Sequence, residues 1–188
     1  IGKSRLAAEL ITRAKERSER VLYLTGRCVS SDHPISYWPS LDMIRSYFGL
    51  RDGDRSEEMQ RKISAGIRML NVPSEAAMNA YIANVLSVQL SPIAAKELEH
   101  KSPDQMRLGT LESLRNLFEH IGRRTKLLLV LEDLHWADDL TFDLLTLLLD
   151  SLPSSAVFIV CLFRPEAASR TVQLSLIARR KCFDRCTE

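Results

Sequence analysis

The sequence contains no apolar run of about 18 or more residues, the length that a membrane-spanning helix requires. Its longest continuous apolar run covers residues 156–163 and suits a buried strand instead. The first residues predict an amphipathic helix rather than a signal peptide. We therefore expect a cytoplasmic protein that has no membrane partner.

An excess of charge of one sign is also absent, since 26 Lys and Arg residues face 24 Asp and Glu residues, a net charge of +2. This balance gives no electrostatic reason to expect nucleic acid as the main partner. With 45% hydrophobic and 27% charged residues, a collagen-like, coiled-coil or disordered chain is excluded. The 188 residues correspond to about one domain. No initiator methionine precedes Ile1, and we expect a segment of a longer protein.

Cysteine is scarce, with four residues in the chain: Cys28, Cys161, Cys182 and Cys186. A disulfide framework would need a secreted context, which nothing in the sequence suggests. A metal site at the C-terminal pair would need further ligands, and no histidine lies near it. Reduced thiols are the favoured interpretation.

Short apolar runs alternate with helical patterns along the chain. Residues 5–17 place leucine and isoleucine at helical spacing opposite charged side chains, which predicts an amphipathic helix. Residues 21–25 predict a strand that ends at Gly26. Residues 34–122 show mostly helical patterns, and we expect a large helical insertion there. The prolines that interrupt it are Pro73, Pro92 and Pro103.

The pattern changes after this helical segment. Residues 127–131 form a continuous apolar run, and a Leu-rich helix over 140–152 is predicted to be capped by Asp138 or Asp139. A second continuous apolar run follows over 156–163, after a loop. Continuous rather than alternating apolar strands, with helices between them, indicate a mainly parallel sheet covered on both faces. The predicted fold class is therefore α/β.

The C-terminal residues 167–188 lose this pattern and form a divergent, basic tail. Its cations, which include Arg179, Arg180 and Arg185, would contact nucleic acid in one interpretation. No aromatic side chains or helical stripe accompany them, so a solvated or disordered tail is favoured. We expect no direct nucleic-acid binding by this chain.

Gly2, Lys3 and Ser4 are the first residues that suit phosphate chemistry. In a phosphate-binding loop, glycine lets the backbone approach phosphate, lysine reaches the outer phosphates and serine ligates magnesium. The full pattern needs another glycine five positions earlier, which would precede Ile1. Alone, such a tripeptide arises by chance in roughly one chain in ten of this length. A fortuitous helix start is the alternative.

Glu132 and Asp133 directly follow the apolar run over 127–131. Acids at such a position hold magnesium and polarise water in many nucleoside triphosphatases. Because neighbouring side chains of a strand point to opposite faces, both acids serve one site only if the chain turns between them. A solvated strand end is an equally good interpretation when the pair is taken alone.

Arg164 follows the last apolar run, where a cation would stabilise a terminal phosphate or simply lie at the surface. Ligands of open parallel sheets bind at the carboxyl ends of the strands. Gly26 and Arg27, the two acids and Arg164 all occupy such ends, and the Gly-Lys-Ser sequence opens a helix. Together, these positions predict that the four segments converge on one edge of the sheet.

The residues that carry a resemblance to a known family form four strings in a fixed order: Ile1-Gly-Lys-Ser-Arg-Leu6, Gly26-Arg-Cys28, Leu131-Glu-Asp-Leu-His-Trp-Ala-Asp138 and Phe163-Arg-Pro-Glu166. They resemble the AAA-type P-loop ATPase module of signal-transduction ATPases with numerous domains (STAND). Such modules are fused to bacterial adenylate or guanylate cyclases and to large LuxR-type transcriptional regulators. The likeness covers residues 1–166 and implies a partial AAA/STAND domain with a three-layer P-loop NTPase fold.

The resemblance implies ATP and Mg²⁺ as ligands and a role for each matching residue. Those that would bind ATP are Gly2, Lys3, Ser4 and Arg5, with Lys3 at the β- and γ-phosphates. Those that would ligate Mg²⁺ are Ser4, Glu132 and Asp133. Those that would be catalytic are Glu132, Asp133 and Arg164. The order Glu-Asp departs from the commoner Asp-Asp or Asp-Glu, which leaves open which acid serves magnesium and which serves water.

By the same resemblance, the chain is an ATP-binding, slowly hydrolysing regulatory module of a multidomain bacterial signalling protein. Its partners would be a cyclase or helix-turn-helix output domain and a repeat sensor domain. The alternatives are a nucleotide-dependent scaffold or switch with little turnover, and an inactive fragment. The family's strand before Gly2 would precede Ile1. We expect it to lie between the strands that end at Glu132 and Arg164, so that this chain binds nucleotide poorly.

Overall fold

The computed structural model describes residues 2–17, 21–29, 36–151 and 156–164. Its elements in chain order are α1 (Lys3–Arg17), β1 (Val21–Arg27), α2 (Trp38–Tyr47), α3 (Ser56–Leu70), α4 (Glu75–Val85), α5 (Pro92–Leu98), α6 (Pro103–Arg124), β2 (Lys126–Glu132), a 3₁₀ turn (Leu134–Trp136), α7 (Asp139–Ser151) and β3 (Val157–Cys161). The predicted loop over 153–155 and the predicted tail over 167–188 lie outside the described residues. None of the described helices is both long and apolar enough to cross a membrane.

The three strands form a parallel sheet in the order β1–β2–β3. β1 pairs with β2 from Val21 opposite Lys126 to Arg27 opposite Glu132, and the other edge of β2 pairs with β3. Helices cover both faces of this sheet. The predicted α/β class, with a parallel P-loop NTPase-like sheet, is confirmed.

The strand expected between those that lead to Glu132 and Arg164 would precede Ile1, and its position stays a prediction. Among the described strands of this chain, those two pair directly. β2 and β3 are direct neighbours, and the Leu162 N–H donates to the Leu131 carbonyl at 2.8 Å just beyond their paired residues. The facing edges of these strands already satisfy each other's backbone groups.

β2 is buried on both faces, and its residues 127–131 are at most 5% exposed. On one face, Leu128 and Val130 pack against Ala7 of α1. On the other face, Leu127, Leu129 and Leu131 join the main core with the helices that follow β1 and β2. Burial on both sides explains the continuous apolar run, because neither face can tolerate alternating polar side chains.

In the described part of the chain between β1 and β2 lie five helices, α2–α6. Pro92 and Pro103 stand in the first turns of α5 and α6, where a missing N–H breaks no helical hydrogen bond. Ser102 and Gln105 form a capping box at the start of α6, with bonds of 3.3 and 2.8 Å. These prolines therefore mark helix starts. The boundaries of the insertion stay a prediction.

Gly26 lies inside β1, opposite Leu131, so the prediction that it ends the strand is wrong. A Cβ atom at Gly26 would lie 2.0 Å from the carbonyl oxygen of Pro39 in α2. The glycine is needed because another backbone approaches the strand closely. The local sequence does not distinguish a glycine needed for close backbone approach from a glycine in a turn.

We expect Gly26→Ala to lower the free energy of unfolding by about 2 kcal/mol, because the new methyl group meets backbone that cannot rotate away. Gly53→Ala is the matched control, since its Cβ would meet no atom within 4 Å. The control should change stability by less than about 0.5 kcal/mol. Urea unfolding followed by circular dichroism measures both. Equal midpoints for the two variants would contradict the packing argument.

Candidate functional site

α1 begins at the glycine-lysine-serine sequence. Gly2 has φ 95°, a conformation that glycine adopts readily, and its carbonyl accepts the Leu6 N–H at 2.9 Å. Lys3, Ser4 and Arg5 are exposed in the first turn. The first N–H groups of a helix have no intrahelical partner and carry a partial positive charge. The start of α1 therefore has the electrostatic character of an anion site.

The Ser4 hydroxyl joins this helix start to the end of β2. Its Oγ atom donates to Oε2 of Glu132 at 3.2 Å, across 128 positions of sequence. Glu132 is the last residue of β2 and is half-buried. The structure therefore brings two of the segments that sequence singled out into direct contact.

Asp133 leaves β2 with a left-handed backbone, φ 55° and ψ 37°. Its carboxylate accepts from Nε of Arg27 at 3.0 Å, at the end of the neighbouring strand β1. The chain thus turns between the two acids, as a shared site would require. They have different partners, however: Glu132 bonds to Ser4 and Asp133 bonds to Arg27.

Arg164 lies three residues beyond β3 and is exposed. Because the strands are parallel, this position follows the same edge of the sheet as Glu132 and Asp133. Within the described ranges, Arg164 forms no ion pair with either acid. The structure places Arg164 at the expected strand end without bringing it into contact with the carboxylates.

Asp138 contributes a connection that sequence alone did not predict. One carboxylate oxygen accepts the Thr141 N–H at 3.3 Å and also the Thr141 hydroxyl, which makes Asp138, not Asp139, the cap of α7. The other oxygen accepts the Tyr37 N–H at 3.4 Å, at the entrance to α2. Tyr37 has a left-handed φ of 60°. In the sequence, Asp138 is recognisable only as a helix cap. Nothing there identifies Tyr37, 101 positions away, as its second partner.

The sequence also does not identify Arg27 as a partner of the acids. Sequence placed it at a strand end, but only the register of β1 against β2, with Arg27 opposite Glu132, shows that it reaches Asp133. Its side chain is 68% exposed, so the ion pair contributes little to stability. The Arg27–Asp133 pair holds the Asp133 carboxylate on the β1 side of the strand end.

His135 and Trp136 follow the acids in the 3₁₀ turn. Their rings lie 5.0 Å apart, centre to centre, at an interplanar angle of 42°. Both ring nitrogens of His135 are buried and have no hydrogen-bond partner in the part of the chain that the structure describes. The ring contact that the structure gives His135 is with Trp136.

A parallel α/β sheet, with a Gly-Lys-Ser helix start beside an acidic strand end, defines the P-loop NTPase-like class of proteins. The family model described as AAA ATPase domain matches residues 1–160, and the chain belongs to this family. Its members generally bind ATP with Mg²⁺. No curated protein and no solved structure matches the chain. The resemblance to an AAA-type P-loop ATPase module is thereby confirmed.

Two free thiols lie close to this strand edge. Burial raises the pKa of Cys28 to about 12, and the nearby carboxylates of Asp138 and Asp133 add to the increase. Burial also raises the pKa of Cys161 to about 12. Both thiols are therefore protonated and unreactive at neutral pH.

We expect iodoacetamide at pH 9 to alkylate Cys28 and Cys161 on the order of a hundredfold more slowly in the folded chain than in urea, because the thiolate is the nucleophile. Since the folded thiols hold their protons more tightly, their contribution to stability is complete below pH 9 and declines between about 9 and 12. Peptide mass spectrometry resolves labelling at each cysteine. Equal rates in both states would contradict the assigned burial.

Proposed function

We propose that this chain is the ATP-binding regulatory module of a multidomain bacterial signalling protein of the cytoplasm. The observation that carries the proposal is the Ser4–Glu132 hydrogen bond, which joins a phosphate-type helix start to an acidic strand end. Membership of the AAA family supports ATP and Mg²⁺ as its ligands. The resemblance to STAND modules supports a cyclase or helix-turn-helix output domain, and a repeat sensor domain, as partners within the parent protein.

The start of α1 would hold the phosphates. Gly2 and the first-turn amides supply N–H donors, and the ammonium of Lys3 forms no ion pair with the described residues. Lys3 is therefore available for the β- and γ-phosphates. Arg5 adds a second exposed cation to the same turn. The charge and the donor set both suit a polyphosphate.

Ser4 and Glu132 are suitable protein ligands for a magnesium ion whose other ligands are phosphates and water. No group of three or more His, Cys, Asp or Glu side chains within the described ranges could hold a metal by itself. Mg²⁺ typically binds one or two carboxylates together with substrate phosphates and water rather than an all-protein cage. When bound, the metal neutralises charge on the phosphates. We assign Glu132 to the magnesium side because it already contacts Ser4.

Asp133 is assigned to the attacking water. Arg27 donates to one oxygen of Asp133, Oδ2, at 3.0 Å, and a carboxylate can accept from a water as well. Slow hydrolysis would reset a regulatory switch. Arg164, at the next strand end, is assigned to the terminal phosphate.

The same ion pair favours a second candidate function. If Arg27 keeps the Asp133 carboxylate throughout the nucleotide cycle, the module acts as a nucleotide-dependent switch or scaffold with little turnover. In that case ATP and ADP would select different conformations of the parent protein, and exchange rather than hydrolysis would reset it. Single-turnover hydrolysis by the intact protein distinguishes the two functions.

In the intact parent protein, we expect Lys3→Ala to weaken ATP binding by roughly tenfold to a hundredfold, because a charge-assisted contact to phosphate is lost. Lys96→Ala, at an exposed position of α5, is the matched control and should bind like the unmodified protein. Titration calorimetry measures both affinities. Unchanged ATP affinity in Lys3→Ala would refute the phosphate assignment.

Substitutions of the two acids should have different effects on nucleotide binding and hydrolysis. We expect Ser4→Ala and Glu132→Gln each to reduce the gain in ATP affinity that Mg²⁺ provides, and the double variant to lose less than their sum, since the two side chains share one interaction. Asp133→Asn should keep the Mg²⁺ dependence of binding and lower the single-turnover hydrolysis rate. Equal loss of Mg²⁺-dependent binding in Glu132→Gln and Asp133→Asn would exclude the division of roles.

A further inference from the structure

A cleft of about 320 Å³ opens between α4 and α6, in the helical segment between β1 and β2. No residue of the candidate nucleotide site lines it. Its volume is at the lower end of the roughly 300–1,000 Å³ typical of small-molecule sites. The two walls of the cleft differ in chemistry.

The wall formed by α4 is apolar. Met78 and Tyr81 are buried at its floor, and Ala77 is half-buried beside them. A Cβ atom at Gly109 of α6 would lie 2.2 Å from Cζ of Tyr81, so the tyrosine ring lies directly against the α6 backbone. A thioether and an aromatic ring form a surface that suits an aryl or alkyl group.

The wall formed by α6 is polar, and the side-chain oxygen of Asn116 in it already accepts from Arg115 at 3.2 Å. Glu112, Ser113, Asn116 and His120 share one side of this helix and line the cleft. Nδ1 of His120 lies 2.8 Å from the Asn116 carbonyl oxygen. Because a carbonyl only accepts, Nδ1 carries the hydrogen and donates, and this tautomer leaves Nε2 as an acceptor. Glu112, which is exposed, is the one acidic side chain among the described lining residues.

We propose that this cleft is a binding site for a small arylalkyl ammonium compound, whose charged head group lies at Glu112 and whose apolar body lies against Met78 and Tyr81. An ammonium group has three N–H donors, for which the α6 wall offers the Glu112 carboxylate and Nε2 of His120 as acceptors. The single carboxylate excludes an anion of the same shape by repulsion. This site would give the module a ligand that is recognised independently of nucleotide.

The test uses three probes of similar size: 2-phenylethylamine, 2-phenylethanol and 3-phenylpropionate, each titrated calorimetrically into the full chain at pH 7. We expect the amine to bind saturably with one site and about threefold to fivefold more tightly than the alcohol, the range of a partly exposed ion pair. The carboxylate should bind more weakly than the alcohol. Glu112→Gln should remove the preference for the amine and leave the alcohol unchanged, whereas Glu57→Gln, an exposed change on α3, should alter neither.

A second pair of variants tests the place of binding. Ala77→Leu projects a larger side chain into the cleft and should abolish binding of both amine and alcohol, while Ala76→Leu, at the neighbouring exposed position, should bind normally. Far-UV circular dichroism establishes that both variants keep their helices. No saturable binding of the amine, equal binding of the amine and the carboxylate, or normal binding by Ala77→Leu would each overturn the proposal.

Discussion

The structure depends on the burial of β2 on both faces. A strand that is covered on both sides must be apolar at every position, and it satisfies its backbone only by pairing along both edges. Residues 127–131 meet the first condition, and β1 and β3 meet the second. α1 is then held on one face and the main core on the other. Glu132, the first polar residue after this run, is carried to the position where the Ser4 hydroxyl can reach it.

The end of this strand also determines how two adjacent carboxylates are used. In a regular strand, Glu132 and Asp133 would point to opposite faces. The left-handed backbone of Asp133 ends the strand and turns its carboxylate toward Arg27 of the neighbouring strand. One acid therefore contacts a helix start that suits anions, and the other is engaged by a cation. The two roles that we propose for the acids follow from this local break in the backbone and not from the order of the residues.

Much of the fold could be predicted from local pattern. The run over 127–131, the helix that opens at the Gly-Lys-Ser sequence and an aspartate cap for α7 all depend on neighbouring residues, which sequence displays directly. The failures depend on contacts that no local pattern encodes. Gly26 belongs inside β1, and not at its end, because a distant backbone passes it at close range. In the site, the Arg27–Asp133 ion pair escaped prediction for the same reason, although sequence placed both residues at strand ends.

The position of five helices between β1 and β2 has a consequence for how the chain folds. Arg27 and Asp133 are 106 residues apart, and the pairing of β1 with β2 closes a loop of comparable length. Closing such a loop is entropically unfavourable before other contacts form, and non-local strand pairing is slow. The helices α2–α6 pack largely on neighbours in the chain and can form early, which shortens the effective loop. The acidic end of β2 is therefore expected to acquire its partners late in folding, once the helical segment has brought the two strands together.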